Sequence, residues 1–357
     1  RDLVRMAVAN ARLIRPLEEL TKGVTKKGLV IGGGLSGMTA ALGLAEQGFE
    51  VFLVEKEGEL GGNLRHLHTT LDGKNVQKYL AEKITRVGNH PRIQVFTNAR
   101  ITDFSGYVGN YKTRVGCGKG NEARELEHGV TIVATGGEEL KPKEYLCGED
   151  PRVLTQLELE KKLATKWAEG NVLQEVVMIQ CVGSRNEERP YCSRVCCAEA
   201  VKNALTIKSL NPGARVTILY RDMRMYSLLE EDYARARKAG VRFLRYEEER
   251  KPEVAKKDGR LEVTVYNPVL RENLAYHPDL LVLSAATIPA DTAKLASMLK
   301  VPRNADGFFL EAHMKLRPVD FASEGIYLCG MAHSPKMIDE SLSQASAAVS
   351  RACTILA

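Results

Sequence analysis

Cys181, Cys192, Cys196 and Cys197 stand in the pattern C-x10-C-x3-C-C, four of the chain's eight cysteines within 17 positions. Four thiolates gathered by one strand–loop–helix turn suit a [4Fe–4S] cluster. Four cysteines can also hold zinc tetrahedrally. Zinc ribbons, however, usually pair their ligands as C-x2-C, and adjacent cysteines suit that geometry poorly. Without a metal, the same residues would be exchange-prone thiols. A second constellation is Gly32, Gly34 and Gly37, a G-x-G-x-x-G with Leu35 and Ser36 inside it. Gly32 permits a tight turn, Gly34 lets backbone approach a pyrophosphate, and Gly37 lets a helix pack close to a strand. Glu55 follows 18 residues after Gly37, where an acid binds ribose hydroxyls.

The elements around these residues give the motifs their meaning. The run GLVIGGG reads as a buried strand entering a glycine turn, residues 36–47 as a helix, and FEVFLVEKE as the next strand. That β-turn-α-β unit is the one that binds a mononucleotide. Residues 74–88 read as a helix, and 93–116 as antiparallel strands from their alternation. HGVTIVATGG is a buried strand, and 155–168 a helix. A second α/β pattern follows: VVMIQ, the cysteine loop, a helix over 198–210, RVTILY, a helix over 228–239, and VRFLRY. No glycine motif follows VVMIQ. LEVTVYN, LLVLSA and GIYLCG are later strands, Glu247 to Arg260 a solvated hairpin edge, and SLSQASAAVSRACTILA a closing helix. Residues 1–20 have helical apolar spacing and form an amphipathic lead-in ending near Pro16.

Composition removes other classes. An apolar fraction of 44% is too high for a disordered chain. No uncharged apolar run is long enough to span a membrane. A net charge of +6 without Lys/Arg blocks gives no nucleic-acid face. The chain is too long for a small disulfide scaffold. Cys147, Cys329 and Cys353 read as buried packing thiols, and Trp167 as a packing residue. His66, His68, His313 and His333 form no metal-spaced set. A start at Arg1 marks a piece of a longer protein, with no visible signal peptide, and the expected location is cytoplasmic.

Three blocks resemble the flavoproteins with two dinucleotide-binding domains. Glu59-Leu60-Gly61-Gly62 is similar to their loop after the ribose acid; Thr131 to Gly136 (TIVATG) to their second FAD motif; Gly325 to Gly330 (GIYLCG) to their third. The resemblance implies FAD, with Lys56, Gly61, Gly62, Asn63, Ala134, Thr135, Gly136, Gly330, His333 and Ile338 as further contacts. Many relatives have Gly-Asp closing the third motif, where this chain has Met331 after Gly330.

Gln180-Cys181-Val182-Gly183-Ser184-Arg185 and Tyr191-Cys192-Ser193-Arg194-Val195-Cys196-Cys197 resemble the flavin-carrying subunit of heterodisulfide reductase. The resemblance spans nearly the whole chain, including RDLVRMAVA and the block from Lys315 to Lys336. It implies a cluster, held by the four cysteines, in the place where relatives bind NAD(P)H. It also implies Lys202 near flavin N5, with Glu158 as a candidate acid. Methanogen members carry a ferredoxin domain after the Tyr107–Asn110 turn and additional iron–sulfur segments; here that stretch is short and holds one cysteine, Cys117.

The expectation is therefore an α/β chain of two Rossmann-like units of the thioredoxin-reductase type. Residues 1–25 would be lead-in and linker, 26–150 with 290–357 the FAD domain, and 151–289 the cluster domain. The implied function is electron transfer within a larger complex, by bifurcation or confurcation between ferredoxin and a disulfide or other higher-potential acceptor. Implied partners are the other reductase subunits and ferredoxin-, hydrogenase- or formate-dehydrogenase-type donors; a homodimer is a further expectation. An NAD(P)H-dependent disulfide reductase would need a C-x2-C and a second glycine motif, both missing. A flavin-fold scaffold without catalysis would not need the intact glycines and Glu55.

Overall fold

The computed structural model describes residues 1–16, 21–118, 122–165 and 173–357. The lead-in helix α1 (Asp2–Leu13) buries none of its residues and keeps Leu3, Met6 and Leu13 exposed. The apolar run before the glycine turn makes β1 (Lys27–Ile31). It is followed by α2 (Leu35–Glu46), β2 (Glu50–Val54), α3 (Val76–Gly88) and β3 (Ile93–Phe96). Asn75 caps α3, its side chain accepting from Lys78 N, which satisfies one of the free N–H groups of the first turn. Then come β4 (Ala99–Tyr107), β5 (Asn110–Cys117) and β6 (Glu122–His128), an antiparallel sheet, and β7 (Val130–Val133).

A short strand β8 (Gly137–Glu139) leads out of this unit. The second unit holds β9 (Val153–Thr155), α4 (Gln156–Leu163), β10 (Glu175–Val182), α5 (Cys196–Leu210), β11 (Arg215–Tyr220), α6 (Leu229–Lys238) and β12 (Arg242–Arg245). An antiparallel insert, β13 (Glu253–Lys257), β14 (Arg260–Asn267) and β15 (Glu272–Tyr276), precedes β16 (Leu280–Ala285). The chain returns through β17 (Thr287–Pro289), antiparallel to β8. It ends with α7 (Ala293–Leu299), β18 (Ile326–Leu328) and α8 (Ile338–Leu356).

The first parallel sheet runs β18-β7-β1-β2-β3 and the second β12-β11-β10-β16-β9. Fully buried strands such as β7 and β16 suit the interior of sheets covered on both faces. Helices α2 and α8 share one core, where Ala40, Ala41, Ala45, Ala345, Ala348 and Ala352 permit close approach. Truncating Leu44 or Ile132 within that core would cost about 2–5 kcal/mol.

Three expectations change. β3 is not antiparallel: it pairs parallel to β2, with Val51 opposite Ile93 and Val54 opposite Phe96. Alternation reports which faces are buried, not strand direction. The helix expected over 155–168 is described as far as Leu163, and Trp167 lies outside the described residues. Cys329 is fully buried, whereas Cys147 and Cys353 are only partly covered at the edges of two cores.

Candidate cofactor sites

The first glycine turn lies where β1 meets α2. The first helical bond runs from Met38 N to Gly34 O, so the N–H groups of residues 35–37 stay outside the ladder. Together with the positive helix end they form an anion cradle. Gly32 has φ +110°, and a Cβ on Gly37 would lie 1.8 Å from Gly32 O. These two glycines are needed by the fold itself. Gly34 is different: a Cβ there would meet no atom within 4 Å. Its bare side is open, as a diphosphate would require. Glu55 is buried and accepts from Gly33 N (2.5 Å) and Glu57 N (2.8 Å).

The other glycine motifs converge on this turn. Gly61 N donates to Gly33 O, bringing the loop of Gly61 and Gly62 against Gly34. Asn63 Nδ2 donates to Gly137 O (2.9 Å), next to Ala134, Thr135 and Gly136, and lies 3.7 Å from Met331 Sδ. The Thr135 hydroxyl is buried with no partner, an orphan that a bound FAD could satisfy. Gly330 N donates to Gln344 Oε1, Gln344 Nε2 meets His333 Nδ1, and His333 Nε2 meets Glu311, each at 2.8–2.9 Å. Burial holds the His333 ring below the usual imidazole range. Leu35 and Ser36 open α2, Ile338 opens α8, and Lys56 faces Glu138 at 3.3 Å at the exposed edge.

The cysteines gather where β10 runs into α5. Cys181, the last residue but one of β10, has φ +63°, Cys192 lies in the loop, and Cys196 and Cys197 form the first turn of α5. Arg194 N donates to Cys192 Sγ (3.3 Å), and the Arg185 guanidinium lies 3.9 Å from Cys181 Sγ. Burial first, then the Cys197 charge, pushes Cys181 up to about 11. The interaction of the two adjacent thiols pushes Cys196 up and Cys197 down to about 7. Among the described residues, no three His, Cys, Asp or Glu side chains are placed to grip a single metal ion. The four sulfurs nevertheless feel one another's charge across the loop, and the buried amide of Gln180, next to Cys181 in sequence, lacks any partner. Soft donors with an orphaned N–H beside them fit an iron–sulfur cluster.

Arg194 joins the two sites. Its guanidinium donates to Pro335 O (3.2 Å) and to Glu340 Oε1 (2.6 Å) at the start of α8. On the opposite side, Lys202 Nζ donates to Thr69 O (3.1 Å) and Glu160 Oε2 (2.6 Å). Glu160 Oε1 accepts from the backbone of His68 and Thr69, in the loop after Gly61, Gly62 and Asn63. Glu158 is engaged otherwise: it completes a capping box with Thr155 at the start of α4. Glu160, two residues on, went unnoticed in the sequence, where nothing separates it from other carboxylates on that helix. Glu139 accepts from the Thr155 hydroxyl (2.9 Å) and is pushed up to about 7, chiefly by burial.

Two parallel nucleotide-fold sheets in one chain, with an intact glycine turn in the first, define an oxidoreductase of thioredoxin-reductase architecture. The family model for an NAD(P)-binding Rossmann-like domain matches residues 30–99. The thioredoxin reductase of T. acidophilum superposes with a TM-score of 0.63, over 92% of this chain and 98% of that one, at 13% identity. That of Lactococcus lactis gives 0.61, over 93% and 99%, at 17% identity. At these identities the likeness is one of fold. The iron–sulfur A-subunit of a CoB–CoM heterodisulfide reductase from Methanopyrus kandleri is 34% identical over 100% of this chain and 68% of its own length. The A-subunit of an H2:CoB–CoM heterodisulfide,ferredoxin reductase from Methanothermobacter marburgensis is 34% identical over 99% and 67%. The chain belongs to this family of heterodisulfide reductase A-subunits, as its cysteine blocks led one to expect. No helix among the described residues is long and apolar enough to cross a membrane.

Proposed function

We propose that this chain is an FAD- and [4Fe–4S]-dependent electron-transfer component of a cytoplasmic heterodisulfide-reductase-like complex. Residues 26–150 with 290–357 would hold FAD, and 151–289 the cluster. The observation that carries the reading is the gathering of Cys181, Cys192, Cys196 and Cys197 at the β10–α5 turn, where a nucleotide-binding unit would otherwise carry its glycines. When bound, FAD exchanges one or two electrons and the cluster single ones.

The residues around the pair have distinct tasks. The N–H groups opening α2 hold the diphosphate, with Gly34 leaving it room and Glu55 on the ribose. Gly61, Gly62, Asn63, Ala134, Thr135, Gly136, Gly330 and Ile338 line the rest of the FAD cleft. Lys202, held by Glu160, places a positive charge at the boundary of the two units, where it stabilises negative charge on a reduced ring system. His333 is locked between Glu311 and Gln344 beside the third motif.

The complex would link a low-potential ferredoxin to a disulfide or other higher-potential acceptor, by bifurcation or its reverse. The names of relatives support this: five are ferredoxin-linked heterodisulfide reductase subunits. Anaerobic co-purification from the native source tests it. Associated reductase subunits and ferredoxin-linked reduction of a disulfide are expected. A solitary chain reducing disulfides with NAD(P)H would overturn the reading.

A further inference from the structure

Gln180 precedes Cys181 near the end of β10. Its side chain is 0% exposed, and neither its Nε2 nor its Oε1 has a hydrogen-bond partner. Exchanging the two amide atoms does not help, because both ends are orphaned. Leaving a buried amide unpaired is costly, so a native partner is to be expected.

The strand shows where that partner lies. Val176 and Met178 point into the core beneath α5, and Val177 and Ile179 into the core on the opposite face. Period-2 alternation puts Gln180 on the α5 side, past Met178. Ile179 pairs with Leu283 and Val182 with Ala285, so Gln180 and Cys181 together oppose Ser284 in a bulge. Of the polar groups on that side, Asn203 donates to Gln156 Oε1 (2.8 Å) and Gln156 donates to Ser284 Oγ (3.1 Å), while Glu199 Oε1, in the first turn of α5, is itself buried without a partner and makes no bond to Gln180. Gln180 therefore sits at the strand end beneath the first turn of α5, where Cys196 and Cys197 are, with Cys181 next in sequence. No polar group among the described residues reaches it.

We propose that the Gln180 amide N–H donates to a sulfur of the cluster held by Cys181, Cys192, Cys196 and Cys197, and so sets its reduction potential. The proposal rests on the reading of that site as an iron–sulfur centre. A hydrogen bond to a cluster sulfur withdraws negative charge and favours the reduced state. Removing the donor lowers the potential.

The test is an anaerobic redox titration of the cluster-reconstituted protein, following the cluster by electron paramagnetic resonance and the flavin by visible absorption. Gln180→Leu is expected to disfavour one-electron reduction of the cluster about tenfold, which is about 59 mV, and to leave the flavin potential in place. The cluster-free variant should melt no lower than the cluster-free parent, since an orphaned amide has been removed. Gln180→Met, closer in length, covers a failure of the leucine variant to fold. An unchanged cluster potential at full iron content overturns the proposal. So does a shift of the flavin potential instead, or loss of iron from both variants with flavin retained. A parent protein that takes up no iron overturns the underlying reading before any variant is made.

Discussion

Lys202 Nζ lies 2.6 Å from the Glu160 carboxylate, and the two side chains are 10% and 4% exposed. The pair belongs to the second unit, yet both members bond the backbone of the 68–69 loop in the first. It therefore ties the helix that carries Cys196 and Cys197 to the loop that follows Gly61, Gly62 and Asn63. Lys202→Met leaves Glu160 buried and unpaired, at a cost of about 3–5 kcal/mol. Adding Glu160→Gln should recover most of that cost. Thermal unfolding of the single and double variants measures the coupling. In the FAD-loaded double variant, a lowered flavin potential at near-parent stability would identify the electrostatic role. An unchanged potential would leave the pair a purely structural tie.

Gly34 and Gly37 separate ligand binding from folding. A side chain at position 34 meets open space, whereas one at 37 meets the Gly32 carbonyl. Gly34→Val is expected to stay folded, within about 1 kcal/mol of the parent, and to lose FAD affinity at least tenfold. Gly37→Ala is expected to destabilise the chain with or without FAD. Flavin fluorescence after release and a melting curve read both. Parent-like flavin content in Gly34→Val would show that the turn does not hold the diphosphate.

Two buried groups give pH dependences of opposite sign. His128, fully buried between Thr113 and Val130 O, is held down to about 4 by burial. Its contribution is present above an unfolded-state value near 6.5. As pH falls from there toward 4 the unfolded chain takes up the proton first, at a cost approaching about 3 kcal/mol. Glu139 is raised to about 7. Its contribution is full below the ordinary carboxylate range and is lost as pH rises through 7. Melting curves across pH 4–8 for the parent, His128→Gln and Glu139→Gln check this. The parent should lose stability relative to His128→Gln on acidification, and relative to Glu139→Gln on going from about pH 5 to 7.5. Parallel curves would contradict both assignments.

Much of the fold was legible because its signals are local. A buried strand, a glycine turn and an acid 18 residues on occur within one β-α-β unit. The closing helix showed itself by period, although it begins at Ile338, earlier than its apolar run suggests. What stayed hidden depends on contacts distant in sequence. Glu158 and Glu160 look alike on a short helix; only the 68–69 loop, some 90 residues earlier, selects Glu160. The direction of β3 depends on its pairing with β2. The isolation of the Gln180 amide requires knowing what every neighbour already bonds. Even the cysteine pattern told more of spacing than of arrangement, since Arg194 and its reach to Glu340 set the loop against α8.

The central claim is that one chain holds both a flavin and a four-iron cluster. It is tested most directly by counting cofactors in anaerobically purified, reconstituted protein, with flavin, iron, acid-labile sulfide and zinc measured against chain concentration and the reducible absorption recorded. About one FAD, four irons and four sulfides per chain are expected, with the iron lost on combined Ser substitution of Cys196 and Cys197 and the flavin kept. Flavin without iron, or with one zinc per chain, would contradict it.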